Sequence, residues 1–379
     1  MTMTNGSSGS PGSGKHGRGD GWRTAWRDVG RDLGRGVPRG IGRGGGHRGS
    51  GEQPMAEPAE FTSYYGRPVV KEPVWAAADI AGYLFLGGLA GSSSALAAGA
   101  QLTGRPGLAR AAKLGAAGAV SLSFVALVHD LGRPARFLNM LRVFKPSSPM
   151  SVGSWLLTAY GPAAGTAALC SVLPRRNVVL TDIGAAATTA AAVLGPAVTG
   201  YTAALIADTA VPAWHEARVE LPYLFAGSGA SAAAGLALAT APVSERSPAR
   251  RLAVLGASAE FVAAQSLQRR LGMLSEPYRN GKAGALLRAG EVLAGAGLAG
   301  AFAARRSRIG AAASGAALLA ASALTRFGVF EAGRASARDP KYTVVPQRER
   351  RERERRDRDR DPASLNGEAA GRPDRSAVA

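Results

Sequence analysis

Hydrophobic and polar positions fall in long blocks along this chain rather than in short alternations. Between residues 75 and 324, runs of Ala, Gly, Leu and Val are cut by short basic loops. A run of about 20 apolar residues crosses a bilayer as a helix. The pattern predicts eight spans: 75–102, 113–128, 150–173, 183–207, 221–243, 252–267, 283–304 and 309–324. The expected fold is therefore all-α, a polytopic membrane protein. Several spans are saturated with small residues, as in Gly310-Ala-Ala-Ala-Ser-Gly-Ala-Ala. Small residues let membrane helices approach closely, and two tightly packed four-helix halves are expected. Residues 1–60 read as a disordered Gly/Arg-rich tail, 61–346 as the membrane domain, and 347–379 as a disordered mixed-charge tail.

Composition adjusts this picture in three ways. The chain of 379 residues carries a formal charge of +19, which suggests nucleic acid. Its cations, however, lie in the tails and beside the spans, where membrane proteins ordinarily place them, so no nucleic-acid partner is expected. No apolar core of 7–15 residues follows the early cations, so no secretory signal is expected. Cys170 is the one cysteine, which excludes an internal disulfide and a Cys-ligated iron–sulfur cluster of the chain's own. Of four histidines, only His129 and His215 lie outside the N-terminal tail, both at segment ends. A haem held by two histidines between helices is not expected, and no metal site is predicted. Any redox cofactor must be diffusible or belong to a partner.

An even number of spans puts both termini on one side, here called the tail face. Asp79 and Tyr83 open the first span there, and His129 and Asp130 close the second. Tyr201 and Asp208 close the fourth span, and His215, Glu216 and Glu220 follow in the next loop. Polar side chains from several helices thus converge on one side. Asp79 and Tyr83, at i and i+4, are neighbours on one helix stripe. An ionisable residue inside a span is costly and points to function; Glu260 in span six and Glu291 in span seven are such cases. The alternative for each is a span-end residue reaching water, and Arg288 is placed to neutralise Glu291 on its own helix. For His129 the alternative is a helix cap, and for Asp130 a loop-fixing salt bridge with Arg133. Cations near the membrane are slightly in excess on the tail face, which favours a cytoplasmic position for both termini in the inner (plasma) membrane.

Between spans two and three lies a stretch far richer than a turn requires. It reads Asp130-Leu-Gly-Arg-Pro-Ala-Arg-Phe137, then Asn139-Met-Leu-Arg-Val-Phe-Lys145, then Ser148-Pro-Met-Ser-Val-Gly-Ser-Trp155. Irregular backbone cannot face lipid, so this loop must be built onto protein at a membrane surface. Together with Tyr83-Leu-Phe-Leu-Gly-Gly-Leu-Ala-Gly91, Gly200-Tyr-Thr-Ala-Ala-Leu205 and Thr209-Ala-Val-Pro-Ala-Trp-His-Glu-Ala-Arg218, it resembles the NrfD/PsrC family. These are membrane subunits of polysulfide reductase-like and related molybdoenzyme complexes. The likeness covers about residues 64–346.

The resemblance implies eight helices without haem, a site for menaquinone or another quinone near one membrane face, and an adjacent ferredoxin-like iron–sulfur subunit. It also implies a molybdopterin catalytic subunit, such as a formate dehydrogenase, so the chain is not catalytic alone. The family's site tyrosine on helix four resembles Tyr201. Its helix-one pair, an amide and an imidazole four residues apart, falls on Asp79 and Tyr83, which is a departure from the pattern. The expected quinone contacts are therefore Asp79, Tyr83 and Tyr201. Proton transfer is expected from His129, Asp130 and Asp208, with Glu260 and Glu291 relaying from the opposite face. Partner docking is expected on Arg133, Arg136, Arg142, His215 and Glu216. Two rival functions are a secondary transporter and a purely structural membrane anchor; a transporter would favour broken helices and a midplane site.

Overall fold

The computed structural model describes residues 69–73, 75–130, 139–173 and 178–360. Their regular structure is helical: α1 (Ala77–Leu102), α2 (Pro106–Asp130), α3 (Pro149–Val172), α4 (Val178–Ala207), α5 (Pro212–Glu216), α6 (Leu221–Thr240), α7 (Ser247–Arg270), α8 (Glu276–Arg279), α9 (Gly281–Ala303), α10 (Arg308–Arg338) and α11 (Lys341–Arg360). Every predicted span falls on one of the long helices. By length and composition α1, α2, α4, α6, α9 and α10 can cross a membrane. The other two spans, α3 and α7, are long enough but more polar. Gly, Ser, Thr and Pro dilute α3, while α7 carries Arg250, Arg251, Glu260, Arg269 and Arg270.

Local chemistry sets where these helices begin. Proline lies in the first turn of α3, α6 and α7, where its missing N–H would have had no intrahelical partner. The Ser307 side chain caps α10 by accepting from the Gly310 N–H at 3.0 Å. The chain reverses between α1 and α2 within three residues, with Gly104 at φ 67°, a conformation that favours glycine.

The helices pack as two groups of four. In the first, α1 lies against α2 and α4, and α3 against α4; in the second, α6 lies against α7 and α10, and α9 against α10. The groups join where α6 meets α1 and α4. Glycine lines four of the crossings. A Cβ on Gly195 of α4 would strike the Gly91 carbonyl of α1, and one on Gly229 of α6 would come within 2.9 Å of the Gly88 carbonyl of α1. Gly227 of α6 meets Gly256 of α7, and Gly235 of α6 meets Gly315 of α10, in the same way. Backbones therefore touch at these points, and packing replaces the hydrophobic effect that lipid cannot supply.

Three boundaries differ from expectation. Helix α2 starts at Pro106 rather than near residue 113, because Pro106 and the apolar Leu108 suit a first turn packed against α6 and α7. Helix α10 continues past residue 324 to Arg338. Nothing between Thr325 and Arg338 breaks a helix, and its cations find partners. Arg326, read from sequence as a tail-face cation, is fully buried inside α10; the cation excess that set the orientation loses one member. Finally, residues 347–360 continue α11 as helix, across the expected boundary of a disordered tail. Opposite charges at i and i+4, as in Glu349 and Arg353, support a helix in such a sequence.

The crossing geometry makes a direct prediction. Gly195→Ala should destabilise the protein by about 1–3 kcal/mol through overpacking, read as a lower unfolding temperature in detergent. Gly200→Ala, on the same helix with nothing within 4 Å, should be neutral or slightly stabilising.

Candidate functional site

The tail-face ends of α1, α2, α3 and α4 come together. Asp79 lies in the first turn of α1 and His129 in the last turn of α2. His129 Nδ1 and Asp79 Oδ2 are 3.0 Å apart. Asp130 is near enough to feel both charges. One turn below Asp79, Tyr83 is buried, and its phenol neighbours that of Tyr201 from α4 closely enough for the two to interact electrostatically. The Tyr201 ring packs against Gly153 of α3, where any Cβ would collide with the phenol. Ser123 of α2 donates to the Tyr83 carbonyl at 3.4 Å. The side chains form a graded path: His129 is 76% exposed, Asp79 21%, and Tyr83 is sealed from solvent.

The loop motif has a physical reading here. Ser151 Oγ takes the Lys145 N–H at 3.0 Å and donates to the Val143 carbonyl at 3.1 Å. Trp155 meets Phe144 edge-on at 6.2 Å. Those contacts fold the loop back onto the start of α3, so that Gly153 faces α4. Residues 131–138, with Arg133 and Arg136, lie outside the described residues; Arg142 is exposed.

The other expected site residues lie apart from this array. Asp208 is exposed just beyond α4, with no hydrogen bond to the tyrosines among the described residues. His215 is exposed at the end of α5. Glu216 pairs with Arg350 of α11, and its carbonyl takes a bond from Arg270. Arg270 also pairs with the buried Glu220.

Glu260 and Glu291 line a separate cavity of about 460 Å³ among α6, α7, α9 and α10. Thr325 donates to Glu260 at 2.7 Å. The expected Arg288–Glu291 neutralisation does not occur: Arg288 donates instead to the Arg279 carbonyl at 2.7 Å.

Sequence reasoning missed two anchors of this face. Trp214 is fully buried, stacks on Trp75 at 6.3 Å, meets Phe330 at 5.5 Å and donates from Nε1 to the Val329 carbonyl at 2.8 Å. It lies over Gly333 of α10. The signal was present, since a tryptophan within a turn motif can be an anchor as well as an interfacial residue. Glu72, just before α1, binds Arg338 at 2.7 and 3.0 Å and Arg334 at 2.8 Å. Its partners lie more than 260 residues away in sequence, and no local pattern marks them.

The molecule is thus a multi-pass helical membrane protein with a hydrogen-bonded polar array at one membrane face. Residues 69–256 match the model of the family described as polysulphide reductase, NrfD, which identifies that segment as an NrfD domain. The match runs from the approach to α1 into α7, so it includes the whole tail-face array; Glu260, Glu291 and Arg326 lie beyond it. No curated protein matches the chain.

The Glu72 clamp has a pH signature. The bond from Arg338, and then that from Arg334, holds its carboxyl below the ordinary carboxylate value. A depressed pKa contributes stability that is present above the unfolded value and lost as pH falls through the folded one. Amide exchange at residues 69–76 should therefore speed up as pH drops below about 4, after correction for intrinsic rates. Glu72→Gln should show the faster exchange at neutral pH already, with little further change on acidification.

Proposed function

We propose that this chain is the quinone-reactive membrane subunit of an oxidoreductase complex. It passes electrons between a partner iron–sulfur subunit and the membrane quinone pool. The observation that carries the reading is the neighbouring Tyr83 and Tyr201 phenols, with Tyr201 seated on Gly153 and the hydrogen-bonded Asp79–His129 pair one turn nearer the tail face. The NrfD match over the same residues supports it.

A quinone supplies two-electron chemistry that consumes or releases two protons. The side chains here suit its two needs. The Tyr201 hydroxyl, beside that of Tyr83, can donate to a carbonyl oxygen of the ring. Asp79 and His129 are hydrogen-bonded and graded in exposure, as a proton path from water requires. Asp130 and Asp208 extend the acidic rim. Helix α3 offers no side chain at Gly153, which leaves a flat wall beside the phenol.

Arg142, His215 and the unfilled side of Glu216 face the region where an iron–sulfur partner, and behind it a molybdopterin subunit, would dock. Arg133 and Arg136 belong to the same proposed surface. In the complex, Glu260 and Glu291 supply a route for coupling proton movement to electron transfer. A secondary transporter would be favoured by that midplane cavity, but such proteins build midplane sites from broken helices. Helices α7, α9 and α10 run unbroken past the cavity, which favours the quinone reading.

Tyr201→Phe tests it. Loss of a hydrogen bond to developing charge removes about 1.5–3 kcal/mol, a tenfold to hundredfold slowing. Quinone-linked turnover of the assembled complex should fall by that factor, while dye reduction by the catalytic partner stays normal. Because the single change also removes the phenol beside the buried Tyr83 hydroxyl, the Tyr83→Phe/Tyr201→Phe double variant should regain stability without regaining turnover. Wild-type turnover of Tyr201→Phe at limiting quinone would remove this site.

The tail face is proposed to be cytoplasmic, from its cations. A fluorescent reporter fused to the C-terminus should be active in the cytoplasm; an active periplasmic alkaline phosphatase there would invert the orientation.

A further inference from the structure

The tail-face array leaves unused the polar groups of the second helix group. Glu260 lies ten residues before the end of α7 at Arg270, and Glu291 ten residues after the start of α9 at Gly281. At 1.5 Å per residue both stand about 15 Å below the tail face, half the depth of a hydrocarbon core of about 30 Å. They line the same cavity, whose largely apolar walls include Leu224, Phe261, Leu287 and Val329. The cavity runs along α7 from Gln268, near the tail face, past Glu260 to Ala257, with Tyr278 of α8 beside its tail-face end.

The groups that face Glu260 come from every neighbouring helix. Thr325 of α10 donates to it at 2.7 Å. Ser228 of α6 lies near the carboxyl and donates to Ser322 at 2.9 Å. Glu291 of α9 acts on it through charge alone. Arg326 sits behind it, fully buried, with its guanidinium 3.9 Å from the centre of the Phe225 ring and Nη2 donating to the Phe225 carbonyl at 2.7 Å. Its Nε and Nη1 have no hydrogen-bond partner among the described residues, although it is electrostatically coupled to Glu260. On the other side, Arg326 Nη2 lies against Gly88 of α1.

This arrangement is unlike a structural acid. A carboxyl that only tied α7 to α10 would be sealed by its partners. Glu260 instead borders open volume that leads towards the tail face, and a cation stands behind it without closing an ion pair. A buried guanidinium with unpaired donors is costly unless charge nearby compensates it, and Glu260 is the compensating group. The charge state at the midplane is thus shared between one fixed cation and one carboxyl that can reach water.

We propose that Glu260 is a cation-exchanging carboxyl at the membrane midplane, loaded with a proton or an alkali ion from the tail face through this cavity. Glu291 is the second acid of the site, and Arg326 is the fixed charge that separates it from α1. Gln268 and Tyr278 place one end of this cavity near the tail face. The site stands on its own observations and does not require the quinone reading.

A hydrophobic carbodiimide tests this on the full-length protein in membranes. The reagent adds a protonated carboxyl, taking its proton onto nitrogen, and rearranges to a stable N-acylurea that mass spectrometry locates. Glu260 should be modified, with a yield that falls about tenfold per pH unit above the group's pKa. Removing the fixed cation in Arg326→Met should carry modification to higher pH, and Glu260→Gln should abolish it. Sodium chloride, compared with choline chloride at constant pH, separates the two ligands: suppression by sodium identifies an alkali ion, and its absence identifies the proton. Absence of modification at Glu260 at every pH, or modification independent of pH, overturns the proposal. If Glu260→Gln or Arg326→Met fails to fold, the wild-type pH and sodium series decides alone. Because the readout is chemical modification rather than turnover, its failure is distinct from failure of the quinone site.

Discussion

The fold depends on backbone touching backbone where glycines face each other. Helix α6 is the clearest case: Gly227 meets α7, Gly229 meets α1 and Gly235 meets α10. In lipid, apolar side chains gain little from leaving one hydrocarbon surroundings for another, so close packing and hydrogen bonds must hold helices together. Glycine shortens the distance over which both act. The same closeness gives the polar groups their reach. Ser228, next to Gly227 and Gly229, bonds Ser322 at 2.9 Å, and Thr325 reaches Glu260 at 2.7 Å. Longer separations between helices would leave these hydroxyls without partners in a medium that offers none.

Polar groups are distributed by depth according to what can compensate them. At the tail face, water and long side chains share the work, as in Glu72 with Arg334 and Arg338, and Glu276 with Lys341. One turn inside, the Tyr83 and Tyr201 phenols lie side by side. At the midplane the charged groups are Arg326 and the carboxyls Glu260 and Glu291, set among fixed dipoles. Arg326 is held by a carbonyl and a ring face, which demands that some other charge lie close. The proposed electron and cation sites therefore occupy different depths and different helix groups, with α1 and α6 between them.

Trp214 closes the tail face. It joins the approach to α1, the short α5 and the extended end of α10 through Trp75, Phe330 and the Val329 carbonyl. Helix α11 then lies over α5 through Arg350 and Glu216. Glu216 was expected to face a partner; here it is engaged within the chain, and a docking subunit would meet α11 beside it.

How much was legible follows from the range over which each signal acts. The eight helices, the tail-face convergence of Asp79, Tyr83, His129 and Tyr201, and the abundance of small residues are local properties: hydropathy over one span, parity of spans, spacing within one helix. The sequence alone determined these, because the bilayer imposes length and polarity on each segment independently. It did not decide where Arg326 would sit. Hydropathy ends span eight at that residue, yet a carbonyl and an aromatic face from α6, a hundred residues earlier, make its burial tolerable. Nor did it show that Gly153 seats Tyr201, that Glu260 and Glu291 share one cavity, or that Arg288 turns away from Glu291. Each of these depends on which faces of separate helices meet, and only tertiary packing chooses among faces that are almost uniformly Ala and Gly.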